Sequence, residues 1–168
     1  MLGVPRYNAV HAAALGRFDH DRILKIRAFR QQCETYVCTE TVQHSHKIEQ
    51  ALQQIDGADL LVAASPVYRA SFKGLFKHLF DFVGQYALID KPVLLAATGG
   101  SDRHALMLEH QLRPLFGFFS ALSTPTAVYA AEADFTDGAL AAPDVRARLE
   151  QAASELAALA SDATAISI

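Results

Sequence analysis

Two short runs carry the residue types that could do chemistry. Ser65-Pro66-Val67-Tyr68 offers a stiff turn ending in an aromatic face and a hydroxyl. Thr98-Gly99-Gly100-Ser101 places two residues without a Cβ between two hydroxyls. A glycine pair lets backbone come close to a flat ligand. N–H groups at the start of a following helix can face its acceptor atoms. Either run alone reads as an ordinary loop or tight turn. Both together, at the ends of successive buried strands, read as a ligand site.

The elements that must position these runs follow from hydrophobic pattern. Ala58 to Ala64 contains an apolar stretch with neither helical nor alternating period, and Pro92 to Ala97 (PVLLAA) is another. Short apolar runs bounded by turn residues suit strands buried on both faces of a parallel sheet. Asp59 to Ala64 is therefore expected as one strand, Pro92 to Ala97 as a second and Thr126 to Ala130 as a third. Parallel strands share a direction, so both runs should emerge at the carboxyl edge, where ligands bind in such sheets.

Helices separate the strands. Ile48, Ala51, Leu52 and Ile55 recur at i, i+3, i+4 and i+7, one apolar stripe. Ser45 is placed to cap that helix, and Gly57 to end it in the left-handed conformation. A second helix is expected over roughly Ser71 to Gln85, burying Phe72, Leu75, Phe76, Leu79, Phe80 and Val83. A third is expected from Asp102 to about Phe119, capped by Ser101 and kinked or locally broken at Pro114. A terminal amphipathic helix covers Asp144 to Ala160. Alternating strands and helices predict a doubly wound α/β sandwich of three layers on a parallel sheet, flavodoxin-like in type. Nearer the N-terminus the pattern is weaker: a helix over Tyr7 to Phe18, a strand over Ile23 to Phe29, and a loop over Gln31 to Gln43.

Composition narrows the function classes. The chain has 168 residues, 51% of them apolar, and a net charge of −3. That supports one domain with a real core and gives no electrostatic case for nucleic acid or an anionic membrane. No apolar run approaches the roughly 18 residues that would span a bilayer, and no signal peptide or lipidation pattern is recognisable. Cys33 and Cys38 read as free thiols in a reducing cytoplasm. The histidine pair His44-x-His46 lacks a recognisable third ligand, so no metal is expected. Neither a Gly-x-Ser-x-Gly elbow nor a Walker-type phosphate loop occurs.

Ser65-Pro66-Val67-Tyr68, followed by Ser71, Gly74, Leu75, Lys77 and Asp81, resembles the NAD(P)H-dependent FMN reductases of flavodoxin-like fold. So does the run from Ala97 to Ala121, ATGGSDRHALMLEHQLRPLFGFFSA. The likeness is strongest to the branch serving sulfonate-using monooxygenase systems, and it covers about half the chain, Ser45 to Ala130. It implies that Pro66, Val67 and Tyr68 line one side of the isoalloxazine ring, that Thr98, Gly99, Gly100 and Ser101 contact it from the next loop, and that Ser65 belongs to the same cofactor-binding set. It implies FMN and NADH or NADPH as cofactors, and hydride transfer for which the flavin supplies the electronics, so no catalytic side chain is nominated. It implies a homo-oligomer, dimer or tetramer, and a flavin-dependent monooxygenase as a partner for reduced FMN. Some members carry an inserted Tyr or His that bulges the helix packed between subunits, and His110 aligns with that position.

The family's phosphate loop has a counterpart at Gly3-Val4-Pro5-Arg6, with Gly3 and Arg6 as its binding residues. Val4 stands where the family has a serine, and only Met1 and Leu2 precede Gly3, too few for the central first strand. Two arrangements follow: the chain starts late, or Ile23 to Phe29 pairs directly with Asp59 to Ala64. Two other functions remain open on the same fold: a non-catalytic remnant that has lost FMN phosphate binding, and a quinone or azo-compound reductase.

Overall fold

The computed structural model describes residues 23–26 and 46–166. The expected helix over Tyr7 to Phe18, the loop over Gln31 to Gln43, the cap Ser45 and the proposed phosphate loop lie outside the described residues. A parallel sheet runs in the order β1 (Ile23–Ile26), β2 (Leu60–Pro66), β3 (Pro92–Gly99). Beyond β3 lie two short strands, β4 (Leu122–Ser123) and β5 (Val128–Ala131). The register pairs Ile23 with Leu60 and Leu61 with Val93. So the segment beginning at Ile23 does pair directly with β2, the second of the two arrangements expected.

Residues of β2 and β3 alternate between two cores. Leu60, Val62, Leu94 and Ala96 face α4 (Pro143–Ile166), which packs Leu149, Ala152 and Leu156 against them. Leu61, Ala63, Val93 and Leu95 face the other way, onto Ile55 of α1 (His46–Gly57), Phe76 and Phe80 of α2 (Gly74–Asp81) and Phe116 of α3 (Arg113–Phe118). Leu61, Leu95 and Phe116 are 0% exposed, each such side chain contributing on the order of 1.5–3 kcal/mol. The layered α/β architecture matches the expectation, and the continuous apolar runs are explained by burial on both faces.

Several boundaries differ from those read in the sequence. Gly57 ends α1 but does not have a positive φ. The strand expected over Asp59 to Ala64 runs on to Pro66, because Val67 N–H still donates to Thr98 O at 2.7 Å. The helix expected from Ser71 starts only at Gly74, since Lys73 is held extended and its N–H donates to Ser65 Oγ at 3.3 Å. It ends at Asp81, ahead of Gly84, and leaves Leu75 exposed.

The helix expected over Asp102 to Phe119 is broken into three pieces. Asp102–His104 forms one tight 3-10 turn, and Ser101 makes no side-chain cap. Leu108–Leu112 forms a wide π turn in which Arg113 N–H donates to Leu108 O, and α3 follows. Pro114 lacks the N–H that would bond His110 O in a regular helix, and the wide turn lies immediately ahead of it. His110 sits inside that turn. The strand expected over Thr126 to Ala130 forms as β5, displaced to Val128–Ala131, and the short strand β4 lies ahead of Pro125, which cannot donate to a ladder. A hairpin the sequence reading missed, β6 (Phe135–Thr136) with β7 (Ala139–Leu140), turns through Asp137 (φ 50) and Gly138 (φ 81).

Candidate functional site at the carboxyl edge

The carboxyl ends of β2, β3 and β5 lie side by side. Ser65 is in register with Ala97, Pro66 with Thr98, and Gly99 with Ala131. The two candidate runs are thus adjacent along one rim, as expected from parallel strands. Their residues divide by role. Ser65 is fully buried, and its hydroxyl is engaged with Pro66 O and Lys73 N–H. Its side chain therefore shapes the loop rather than facing solvent. Val67 packs partly against the aromatic core. Tyr68 is 60% exposed, so its ring is presented at the rim.

Beyond Tyr68 the chain makes a two-residue turn. Tyr68 N–H donates to Ser71 O at 2.8 Å and Ser71 N–H donates to Tyr68 O at 3.2 Å. Both central residues are left-handed, Arg69 at φ 52 and Ala70 at φ 67. This is the mirror-image hairpin turn that favours Asn-Gly, built here without glycine. Ser71 Oγ donates to Gln111 Oε1 at 3.3 Å and so ties the turn to the π turn.

In the second run the two glycines differ. A Cβ on Gly99 would lie 2.1 Å from Tyr129 Oη, so this glycine is required by a side chain of the protein itself. A Cβ on Gly100 would meet nothing within 4 Å. The open space of the glycine pair therefore belongs to Gly100. Tyr129 Oη donates to Ser101 O at 2.7 Å and fixes the loop from beneath. Burial, then the Asp102 and Asp134 carboxylates, push the Tyr129 phenol above its ordinary pKa, which keeps it a neutral donor. Reasoning from sequence missed Tyr129. Its signal was one tyrosine on a strand neighbouring the glycine run. Gly3 and Arg6 lie outside the described residues. The helix N-terminus expected after Ser101 is reduced to a three-residue turn.

Residues 5–136 match the family model described as NADPH-dependent FMN reductase. The chain belongs to that family. It is 58% identical over 113 residues to a Pseudomonas fluorescens protein named NADH-dependent FMN reductase SfnF, an alignment covering 67% of this chain and 60% of the relative. Among solved structures it is similar to an oxidoreductase from Corynebacterium diphtheriae, with 40% identity and a TM-score of 0.65, over 71% of this chain and 64% of that one. A flavodoxin, WrbA-like protein from Agrobacterium tumefaciens shares the fold, with 20% identity and a TM-score of 0.52, over 66% and 73% of the two chains. The chain spans about 60% of the length of the curated relatives it matches. The family assignment agrees with the resemblance carried by the two runs. The flavodoxin-like class rests on these neighbours and on the parallel sheet described above.

The rim fits a flat aromatic group on two counts. Tyr68 gives an exposed ring at one side, and Gly100 leaves backbone uncovered at the other. Among the described residues no helix is long and apolar enough to cross a membrane.

Proposed function

We propose that the chain is an NAD(P)H-dependent FMN reductase whose whole length, residues 1–168, is a single flavin-binding domain of the cytoplasm. The observation that carries this reading is the juxtaposition of Pro66-Val67-Tyr68 and Thr98-Gly99-Gly100-Ser101 at neighbouring strand ends, with Cβ space open only at Gly100. FMN, when bound, supplies the ring that accepts a hydride from NADH or NADPH. The protein's residues hold and orient that ring. Tyr68 presents an aromatic face, and Gly100 admits close backbone approach. Tyr129 keeps the second loop in place through Ser101 O. Ser65 does the same for the first loop through Lys73 N–H. Gly3 and Arg6 are assigned to the FMN phosphate by the family's pattern.

Reduced FMN would be released to a flavin-dependent monooxygenase, the use implied by the resemblance of the two runs to the sulfonate-utilisation branch. Self-association as a dimer or tetramer fits the exposed apolar side chains Leu106 and Phe118 on the segment around the π turn. The test is anaerobic mixing of purified protein, FMN and NADH or NADPH, followed at the flavin absorbance band. Bleaching of added FMN at catalytic protein concentration is expected. Turnover of a quinone without turnover of FMN would assign the chain to the quinone-reducing alternative. No flavin binding at saturating FMN would leave it a non-catalytic relative.

A further inference from the structure

We propose that Arg69 grips a phosphate of the nicotinamide nucleotide, making it the residue that captures the hydride donor. The inference rests on the reductase reading above. Its first support is backbone conformation. Arg69 and Ala70 occupy consecutive left-handed positions, φ 52 and φ 67, where glycine or asparagine would sit without penalty. A strained turn kept without glycine implies that a side chain is wanted there. Ala70 offers only a methyl group, so the side chain in question is that of Arg69.

The second support is charge. The Arg69 guanidinium lies 5.9 Å from the centroid of the Tyr68 ring. Among the described residues it has no carboxylate partner. From Leu60 to Phe80 the sequence contains no Asp or Glu, but it contains Arg69, Lys73 and Lys77. Lys77 is paired with Asp81. The turn is therefore locally cationic in a chain of net charge −3, and Arg69 is its exposed tip.

The third support is position. The turn continues directly from the ring-lining run, and its far end is tied to Gln111 through Ser71. Tyr68 thus carries a ring face and, one residue on, a planar cation stacked near it. A guanidinium suits a phosphate, which it can hold through two parallel N–H donors. Two phosphate sources are chemically equivalent here, the donor's diphosphate and the FMN monophosphate. The donor is favoured because the family's pattern already assigns the FMN phosphate to Gly3 and Arg6, which leaves the exposed Arg69 for the donor's diphosphate.

Steady-state kinetics of Arg69→Ala in the full chain separate the sources. Three donors are used: NADH, NADPH and 1-benzyl-1,4-dihydronicotinamide, which carries no phosphate. Two acceptors are used, FMN and riboflavin. KM for NADH and NADPH should rise by about tenfold, with KM for the benzyl donor and for both flavins unchanged. Arg69→Lys should recover part of the loss. Arg69→Gly should raise the thermal midpoint, by relieving the turn, while still raising KM for the two dinucleotides. Equal loss with all three donors, loss confined to FMN against riboflavin, or no change would each overturn the proposal. Wild-type protein that reduces neither flavin with any donor would instead sink the reductase reading.

Discussion

The two edges of the sheet use their polar groups differently. At the amino edge, charged side chains are engaged with the backbone. Lys91 Nζ donates to Ile55 O and Asp56 O at the end of α1, at 2.9 and 2.7 Å. Arg113 donates to Thr124 O and Pro125 O while paired with Glu109, and Arg148 donates to Ala127 O. Glu155 accepts from both Thr126 N–H and Thr126 Oγ1. At the carboxyl edge, Tyr68 and Arg69 are exposed, the turn from Tyr68 to Ser71 is strained, and Gly100 leaves its Cβ space empty. The amino edge repairs the backbone groups that a proline-interrupted strand and a helix end leave unpaired. The carboxyl edge leaves groups available for a ligand. Stability and binding should therefore separate by edge, and substitutions can break or sharpen that division.

The largest effect is expected at Gly99, where the two demands meet. Gly99→Ala drives a Cβ into Tyr129 Oη, and such overpacking costs about 1–3 kcal/mol. It should lower the urea midpoint and weaken FMN binding together. Tyr129→Phe removes the colliding oxygen, so the double variant should be more stable than the sum of the singles, a coupling that a double-mutant cycle measures. Gly100→Ala should behave differently. Its stability should stay within about 0.5 kcal/mol of wild type, because the new Cβ touches nothing, while FMN affinity falls.

A smaller effect is expected at Lys91. Burial pulls its ammonium below the ordinary lysine pKa, partly offset by Asp56 and Asp59. Lys91→Met removes two charged hydrogen bonds to the end of α1 and should cost about 1 kcal/mol with FMN affinity unchanged.

The smallest effect is pH-linked. Burial raises the Glu155 pKa, but hydrogen bonds from Thr126 and Gln151 and the charge of Arg148 outweigh it, and the net shift is downward. A carboxylate whose folded pKa is depressed adds stability above its unfolded value, near 4.3, and loses it as pH falls through the folded value. Glu155→Gln should therefore be destabilised at neutral pH and approach wild type in acid, as a series of urea midpoints from pH 7 to pH 3 would reveal.

The strands and the site were legible in sequence to different degrees. β2 and β3 were plain, because burial on both faces leaves an unbroken apolar run. The neighbouring positions of the two loops followed from strand direction alone. What escaped reading depended on contacts distant in sequence. Tyr129 crowds Gly99 across thirty positions of chain, so the glycine pair looked uniform when only its second member faces open space. An interruption of the helix after Ser101 was legible from Pro114, but the π turn ahead of it and the isolated 3-10 turn at Asp102–His104 were not. The β6–β7 hairpin was different. Asp137-Gly138 is a strong local turn signal, but the two-residue strands around it have too little pattern to be seen. Leu75 looked buried because it shares an i, i+3, i+4 stripe with Phe72, Phe76 and Leu79, but in α2 it is Phe76 and Phe80 that turn into the core.

The central claim is that the two loops form one flavin-ring face, with Gly100 as its open point. It is tested by titrating FMN into wild-type and Gly100→Ala protein and following flavin fluorescence, with thermal midpoints recorded in parallel without flavin. The account predicts saturable quenching by wild type, weaker quenching by the variant, and equal midpoints. FMN binding as tight in Gly100→Ala as in wild type, or no binding by wild type, would contradict it.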